Sequence, residues 1–201
     1  MGTIAHGPYT PKAMDETPPT SDPRPDELRT APSLVVLNTG HGKGKSTAAF
    51  GTMLRSLAQG WRVAVVQFIK SGDWKVGEQS LGVQLGVHWL ETGRGFTWDS
   101  ANLEHDRAVA WDGWQQAATL IAAGEHRLVI LDELTYLITW GWLEVEPVVD
   151  ALRKRPDHVN VIITGRDAHP ALIELADTVT EMRPVKHAYD RGIAAKRGID
   201  Y

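Results

Sequence analysis

A glycine-rich segment that contains two lysines and a serine is the part of this sequence best suited to chemistry. It reads TGHGKGKST, and it follows the apolar run LVVLN and precedes a stretch with helical spacing. Glycines let backbone N–H groups surround phosphate oxygens, a helix N-terminus adds partial positive charge, and a lysine adds a full charge. The alternative is a plain strand-to-helix turn, which the Gly-Lys-Ser ending disfavours. The segment predicts triphosphate binding by Thr39, Gly40, His41, Gly42, Lys43, Gly44, Lys45, Ser46 and Thr47.

The spacing of this segment departs from the usual phosphate loop. That loop has a glycine, four residues, and then Gly-Lys followed by Ser or Thr. Here Thr39 stands in the place of the first glycine, with Gly40 and Gly42 directly behind it. Ser46 keeps the hydroxyl that can ligate magnesium. The binding chemistry is therefore retained, whereas the loop alone leaves open which triphosphate it holds and for what reaction.

Two adjacent carboxylates form the second candidate group. The run RLVILDELT carries Asp132 and Glu133 to the end of a buried strand, and ligands of open α/β sheets bind at that edge. Asp132 can hold magnesium through water, and Glu133 can bind metal or, in a hydrolase, orient an attacking water. The alternative is that one acid caps a helix and the other faces its dipole. Together with the phosphate loop, these acids favour a magnesium–nucleotide site.

An arginine follows the next apolar run. ITGRDAHP places Arg166 at the same edge of the expected sheet, where a guanidinium could stabilise charge on a phosphate chain. A surface arginine without a ligand is an equally good interpretation of this residue alone.

The elements that must position these residues are short apolar runs alternating with helical stretches. Runs that are apolar on both faces and separated by crossovers indicate a parallel sheet covered by helices, so we predict an α/β fold. The predicted strands are 34–38, 62–68, 87–91, 127–132, 158–164 and 178–182, and the predicted helices are 45–58, 103–124, 147–155 and 169–176.

Composition limits the domain organisation and the possible partners. Seven of the 11 prolines fall between Pro8 and Pro32, so residues 1–33 are expected to form a flexible arm and residues 34–201 one domain. No apolar run reaches the roughly 20 residues of a membrane span, and the N-terminus does not resemble a secretory signal, so we expect a cytoplasmic protein without membrane contact. A net charge of −4 and the lack of cysteine argue against a nucleic-acid partner and a thiolate metal site.

The chain resembles the P-loop ATP:corrinoid adenosyltransferases, enzymes of vitamin B12 assembly and salvage, from about Val35 to Tyr201. The offset glycines are themselves typical of that family. The resemblance rests, in chain order, on the segments NTGHGKGKSTAAFG, VVQFIKSGDWKVGE, GRGFTW, LVILDELTY, VIITGR, LADTVTEM and VKHAYDRGIAAKRGID.

The resemblance implies a fold, a reaction and roles for residues. The fold would be RecA-like, with a mostly parallel sheet and helices on both faces. A cobalt(I) corrinoid would attack the 5′ carbon of ATP and expel triphosphate, with Mg²⁺ or Mn²⁺ as cofactor and Lys45 as a catalytic charge. Glu133 would then be a magnesium ligand rather than a water activator. Phe96 and Trp98 would pack under the corrin ring and remove the axial ligand of cobalt(II); core packing is the alternative for this aromatic pair.

Partners also follow from the resemblance. A flavodoxin- or flavin-type reductant would supply electrons, and the enzyme would be a homodimer. The segment DWKVGE, with Trp74 and Glu78, looks like a loop beside the two substrate pockets. Alternative functions are a small-molecule kinase or ATPase of the P-loop class and a non-catalytic ATP- and corrinoid-binding carrier or sensor. A RecA-like nucleic-acid motor is disfavoured by the acidic charge.

Overall fold

A single six-stranded sheet organises the chain. The computed structural model describes residues 27–69, 77–92 and 103–200. All strand pairs in these residues are parallel, and the strand order is β3-β2-β4-β5-β1-β6. The strands are β1 (Val35–Thr39), β2 (Val63–Gln67), β3 (His88–Glu91), β4 (Leu128–Asp132), β5 (Asn160–Thr164) and β6 (Thr178–Glu181). All six predicted strands are confirmed, and the sheet is wholly rather than mostly parallel.

Helices connect successive strands, as a parallel sheet requires. The predicted helices 45–58, 103–124, 147–155 and 169–176 are each present, with ends shifted by at most two residues. Two short helices were not predicted, one before β3 and one directly after β4. The helices are α1 (Lys45–Ala58), α2 (Gly77–Gln84), α3 (Leu103–Ala123), α4 (Leu134–Thr139), α5 (Val145–Arg153) and α6 (Pro170–Leu175).

The sheet separates two hydrophobic cores, one on each face. Alternate residues of a strand point to opposite faces, so Val66 lies in one core and its neighbour Val65 in the other. The larger core packs α3 and α5 on the sheet and contains Trp114, which is 1% exposed. The smaller core packs α1 through Phe50 and Met53. Helices therefore cover both faces, as expected for a P-loop NTPase-like fold.

The two edge strands are less buried than the central four. Every residue of β2 and β4 is buried, whereas all four residues of β6 are exposed. After β6 the chain continues through a short 3-10 turn at Tyr189–Arg191, and almost every side chain from Arg183 to Asp200 is at least partly exposed. This C-terminal segment belongs to the compact unit that begins at Pro32.

Among the residues that the structure describes, no helix combines the length and the apolar character needed to cross a lipid bilayer.

Candidate active site

The glycine-rich loop connects the carboxyl end of β1 to the first turn of α1. Gly40 and Gly44 have φ values of 91° and 110°, a region that L side chains rarely adopt. Gly44 precedes the first residue of α1 and has no side chain that could cap the helix. The first N–H groups of α1 therefore remain available for an anion, and the helix dipole favours negative charge there.

The loop glycines also fit closely against the chain that leaves β6. A Cβ atom on Gly40 would lie 2.5 Å from the carbonyl oxygen of Met182, and one on Gly42 would lie 2.8 Å from the same atom. The Gly42 amide donates a 2.6 Å hydrogen bond to this oxygen. Any side chain at either glycine would thus displace the loop or the chain after β6.

Lys45 lies at the start of α1 and points back over the loop. Its Nζ donates a 2.7 Å hydrogen bond to the Gly42 carbonyl oxygen. Burial lowers the pKa of Lys45, the Arg166 charge lowers it further, and the carboxylates of Glu133 and Asp132 oppose this shift. The ammonium is thus a partly desolvated charge, and this partial desolvation strengthens its interaction with an incoming phosphate.

Asp132 is the last residue of β4 and is only 2% exposed. Its Oδ1 accepts a 2.7 Å hydrogen bond from the Thr164 hydroxyl, and its Oδ2 accepts one of 3.2 Å from the Gln67 amide. The Ser46 hydroxyl is close enough to lower the pKa of Asp132. Burial raises the pKa of Asp132, and the interactions with these three side chains oppose that shift. The carboxylate is therefore held in one orientation, with the serine of the loop beside it.

Glu133 adopts a left-handed backbone conformation with φ 62° and begins the turn into α4. Its amide donates a 2.9 Å hydrogen bond to the Thr164 hydroxyl, which itself donates to Asp132. One threonine therefore holds the Asp132 carboxylate and the Glu133 backbone. Burial raises the pKa of Glu133 to about 7, and the Asp132 charge adds to this shift. A cation beside these two acids would relieve their mutual repulsion.

Arg166 follows β5, and its backbone is fixed by α4. The Thr135 hydroxyl donates a 2.6 Å hydrogen bond to the Arg166 carbonyl oxygen. Between β5 and Arg166, Gly165 has φ 140°, and a Cβ there would lie 2.0 Å from the Thr135 hydroxyl oxygen. The Arg166 side chain is close enough to lower the pKa of both Lys45 and Tyr136. Its guanidinium therefore adds a third positive charge near the glycine-rich loop, next to those of Lys43 and Lys45.

Two contacts join the loop after β5 to the glycine-rich loop. His41 Nε2 lies 3.0 Å from an Asp167 carboxylate oxygen, and the Ala168 amide donates a 3.3 Å hydrogen bond to the Thr39 hydroxyl. Thr39, which stands where the usual loop has glycine, thus has a structural partner across the sheet edge.

The C-terminal segment contacts the same loop. Lys43 Nζ forms an ion pair with an Asp200 carboxylate oxygen. The other oxygen of Asp200 accepts a 2.7 Å hydrogen bond from the Lys196 amide, which closes a turn at the end of the described chain. The loop is thereby linked to Met182 by a backbone hydrogen bond and to Asp200 by charge.

The oxygen atoms of the site fit a magnesium ion better than a softer metal. No group of three or more His, Cys, Asp or Glu side chains in the described residues could hold a metal by itself. Magnesium normally binds through one or two carboxylates, waters and substrate phosphates, and the Ser46 hydroxyl and the Asp132 carboxylate would supply the protein's part of such a set. The buried amide oxygen of Gln67 has no hydrogen-bond partner in the structure, as expected beside a site that holds additional donors.

The structure brings most of the residues predicted for the nucleotide site to one edge of the sheet. The loop from Thr39 to Thr47, the acid pair and Arg166 all follow the carboxyl ends of strands. Glu78, at the start of α2, is near enough to raise the pKa of Asp132. Phe96, Trp98 and Trp74 lie outside the described residues.

Thr164 and Gln67 were missed in the sequence, although each is a polar residue that ends an apolar strand. The available signals were the single glycine that follows β5 and the polar residue that ends VAVVQ. Only the register of β4 with β2 and β5 shows that both side chains meet Asp132.

Comparison with known proteins gives a consistent result along the chain. The family model described as ATP:corrinoid adenosyltransferase BtuR/CobO/CobP matches residues 32–201. The corrinoid adenosyltransferase of Escherichia coli is 47% identical over 180 residues, which cover 90% of this chain and 91% of that protein. The corrinoid adenosyltransferase CobA of Salmonella typhimurium is 46% identical with the same coverage. That of Pseudomonas aeruginosa is 39% identical over 190 residues, covering 94% of this chain and 93% of the relative.

Proposed function

Because the chain belongs to the ATP:corrinoid adenosyltransferase family, we propose that it transfers the 5′-deoxyadenosyl group of ATP to the cobalt(I) of a corrinoid. The second product is triphosphate, and the reaction serves the formation or salvage of adenosylcobalamin. ATP and the corrinoid are both substrates.

The observation that most supports this function is the arrangement around the glycine-rich loop at the carboxyl edge of the sheet, which we propose as a cradle for triphosphate. It combines the uncapped N-terminus of α1, the lysine over the loop and the ordered acid beside Ser46. A site of this kind stabilises negative charge that develops on phosphate oxygens. In the proposed reaction that charge develops on the leaving group.

The electron balance of the reaction explains why the cradle needs no hydrolytic base. The cobalt(I) electron pair forms the bond to the 5′ carbon, and the electrons of the broken carbon–oxygen bond leave with the triphosphate. No proton has to be removed from a nucleophile. Glu133 is therefore proposed as a ligand of the divalent cation, together with Ser46 and Asp132, rather than as a base that activates water.

The positive groups have related roles in this proposal. Lys45 acts as the catalytic charge on the departing triphosphate, because it is partly buried and lies over the loop. Lys43 and Arg166 add charge at two other sides of the phosphate chain.

Gly40, Gly42 and Gly44 let the backbone approach the phosphate chain closely, while Thr39, His41 and Thr47 complete the loop. A bound Mg²⁺ or Mn²⁺ would neutralise part of the phosphate charge.

The corrin side of the site remains a proposal based on the family motif. Phe96 and Trp98 match the aromatic pair of Gly-Phe-Thr-Trp, and we propose that they exclude the axial ligand of cobalt(II). Loss of that ligand raises the reduction potential, so that a flavodoxin- or flavin-type reductant can produce cobalt(I). A homodimer and a cytoplasmic location are also predictions carried over from the sequence.

A P-loop kinase or ATPase is the competing function, and the released phosphate species distinguishes it. We expect that incubation with ATP and chemically reduced cob(I)alamin produces the visible spectrum of adenosylcobalamin. Anion-exchange chromatography should show triphosphate in equal amount at early times. ADP with orthophosphate, formed without any change in the corrinoid spectrum, would indicate the competing function.

A further inference from the structure

Gln67 is a buried polar residue of the proposed site that contacts Asp132. It ends β2 and lies opposite Asp132 in the register of β2 with β4. Its side chain is 8% exposed, and its Nε2 donates a 3.2 Å hydrogen bond to Asp132 Oδ2. The amide therefore belongs to the same hydrogen-bonded group as the predicted metal ligands.

The orientation of this amide follows from its partner. A carboxylate only accepts hydrogen bonds, so the nitrogen must face Asp132, and the reversed amide would bring two oxygens together. The backbone holds the residue as well, because the Thr92 amide donates a 3.0 Å hydrogen bond to the Gln67 carbonyl oxygen, and the Phe68 amide donates one of 3.1 Å to that of Asp132. The side-chain oxygen cannot exchange places with the nitrogen without breaking the contact to Asp132.

The amide oxygen of Gln67 is buried and has no hydrogen-bond partner in the structure. Buried acceptors are nearly always paired, and an unpaired one beside a functional site indicates a donor supplied by a ligand, an ion or its water. A water bound to a divalent cation is such a donor, because its lone pair faces the metal and both protons need acceptors. Magnesium keeps several waters when it binds through few carboxylates.

We propose that Gln67 is a positioning residue for the metal–ATP complex, whose amide nitrogen orients Asp132 and whose amide oxygen accepts a hydrogen bond from a water on the cation. This inference rests on the proposed magnesium–ATP site. In this proposal Gln67 contacts a water bound to the cation and does not contact the nucleotide.

Two variants test the role of the side chain. Gln67→Met keeps the length and the burial of the side chain but removes both polar ends, and Gln67→Asn keeps the amide but withdraws it by one methylene. His126→Leu is the matched control, because His126 is 6% exposed and its Nδ1 also lacks a partner. It lies beside Arg62 and His88, at the opposite edge of the sheet.

The measurement is Mn²⁺ binding to the enzyme–ATP complex without corrinoid, followed by electron paramagnetic resonance. Loss of an outer-shell partner typically weakens metal binding by about tenfold to 100-fold, so we expect a loss of at least about tenfold in both Gln67 variants. ATP affinity in EDTA should change less than about twofold, and His126→Leu should bind Mn²⁺ like the wild type. If Gln67→Met does not fold, Gln67→Asn alone decides the test.

Two results would overturn the inference. Mn²⁺ affinity within about twofold of wild type in a folded Gln67 variant would show that the cation shell does not need this amide. An equal loss of ATP affinity in EDTA would assign the oxygen to a nucleotide donor instead. Adenosyl transfer by the wild type is assayed separately, so the inference can fail while the proposed function stands.

Discussion

Lys45 combines a full positive charge with partial burial above the glycine-rich loop. Replacing it by alanine removes the charge that faces the departing triphosphate but leaves the loop glycines in place. We expect turnover at saturating ATP with cob(I)alamin to fall by about 100-fold or more, equivalent to about 3 kcal/mol. The rate is measured from the visible spectrum of the corrinoid.

Lys43→Ala is the matched control for this prediction. Lys43 lies two residues earlier in the same loop, but its side chain is 54% exposed and pairs with Asp200. Since exposed charges are screened, its loss should reduce turnover much less. Near-normal turnover of Lys45→Ala in saturating ATP would contradict the role proposed for Lys45.

At the residue scale, the sequence predicted the charged groups better than the groups that orient them. Lys45, Asp132 and Glu133 stand in recognisable motifs, since their chemistry depends on local spacing along the chain. Thr164 and Gln67 contact Asp132 from 32 and 65 residues away. Their roles depend on strand register, because a shift of one residue would turn each side chain to the opposite face of the sheet. Local spacing along the chain does not contain that information.

The junction between β5 and α4 is tightly packed at Gly165. A Cβ there would lie 2.0 Å from the Thr135 hydroxyl oxygen, and φ is 140°. Gly165→Ala should therefore force α4 away from β5 and displace Glu133, which begins the turn into that helix. We expect backbone strain of about 1–2 kcal/mol and overpacking of about 1–3 kcal/mol, measured as lost unfolding free energy in urea.

Gly60→Ala separates the two contributions to this loss. Gly60 also has a positive φ, 72°, but open space surrounds its Cβ position. It should lose only the backbone contribution, about 1–2 kcal/mol, and keep wild-type turnover. Equal destabilisation by the two substitutions would show that the contact with Thr135 is unimportant.

The sequence between β3 and α3 contains Phe96 and Trp98, the aromatic pair proposed to pack under the corrin ring. If Phe96 and Trp98 remove the axial ligand of cobalt(II), alanine at either position should strongly reduce adenosylation from cob(II)alamin with a mild reductant. Chemically prepared cob(I)alamin should restore most of the rate, because that substrate no longer needs the ligand-removal step. The two assays are compared on the same preparation of each variant.

Core-packing aromatics would give a different result in this pair of assays. An alanine in a core position leaves a cavity that costs about 3–5 kcal/mol, so both rates and the melting temperature would fall together. That outcome would show that Phe96 and Trp98 pack in the hydrophobic core and do not act on the cobalt ligand.

Among the secondary-structure elements, the strands were predictable and two short helices were not. Strands such as β2 and β4 are buried on both faces, so their apolar runs are continuous. Helix α4 has only six residues, with the sequence LTYLIT, and resembles an extension of β4. The left-handed turn at Glu133 and burial of Leu134 and Leu137 against the core produce it. Helix α2 contains two glycines and buries only Gly82, which leaves little periodic signal.

At the scale of the whole molecule, the parallel sheet gathers the proposed chemistry at one edge. Every strand in the described part of the chain runs in the same direction, so the loops after β1, β4 and β5 meet although they are far apart in sequence. This topology follows from alternating strand and helix patterns, so the sequence predicts which strand ends carry the proposed nucleotide site, whereas the side-chain contacts there depend on the register of the strands.

The ion pair between Lys43 and Asp200 links the C-terminal segment to the glycine-rich loop, so release of Lys43 to bound ATP should change how readily a protease cuts that segment. The ammonium cannot serve a phosphate and Asp200 equally, and the triphosphate would repel the released carboxylate. We expect ATP to accelerate tryptic cleavage after Arg191 and Arg197, both of which are exposed, whereas AMP should not. Asp200→Asn should be cleaved rapidly with or without ATP. Slower cleavage of the wild type in ATP would mean that the segment instead closes over the bound nucleotide.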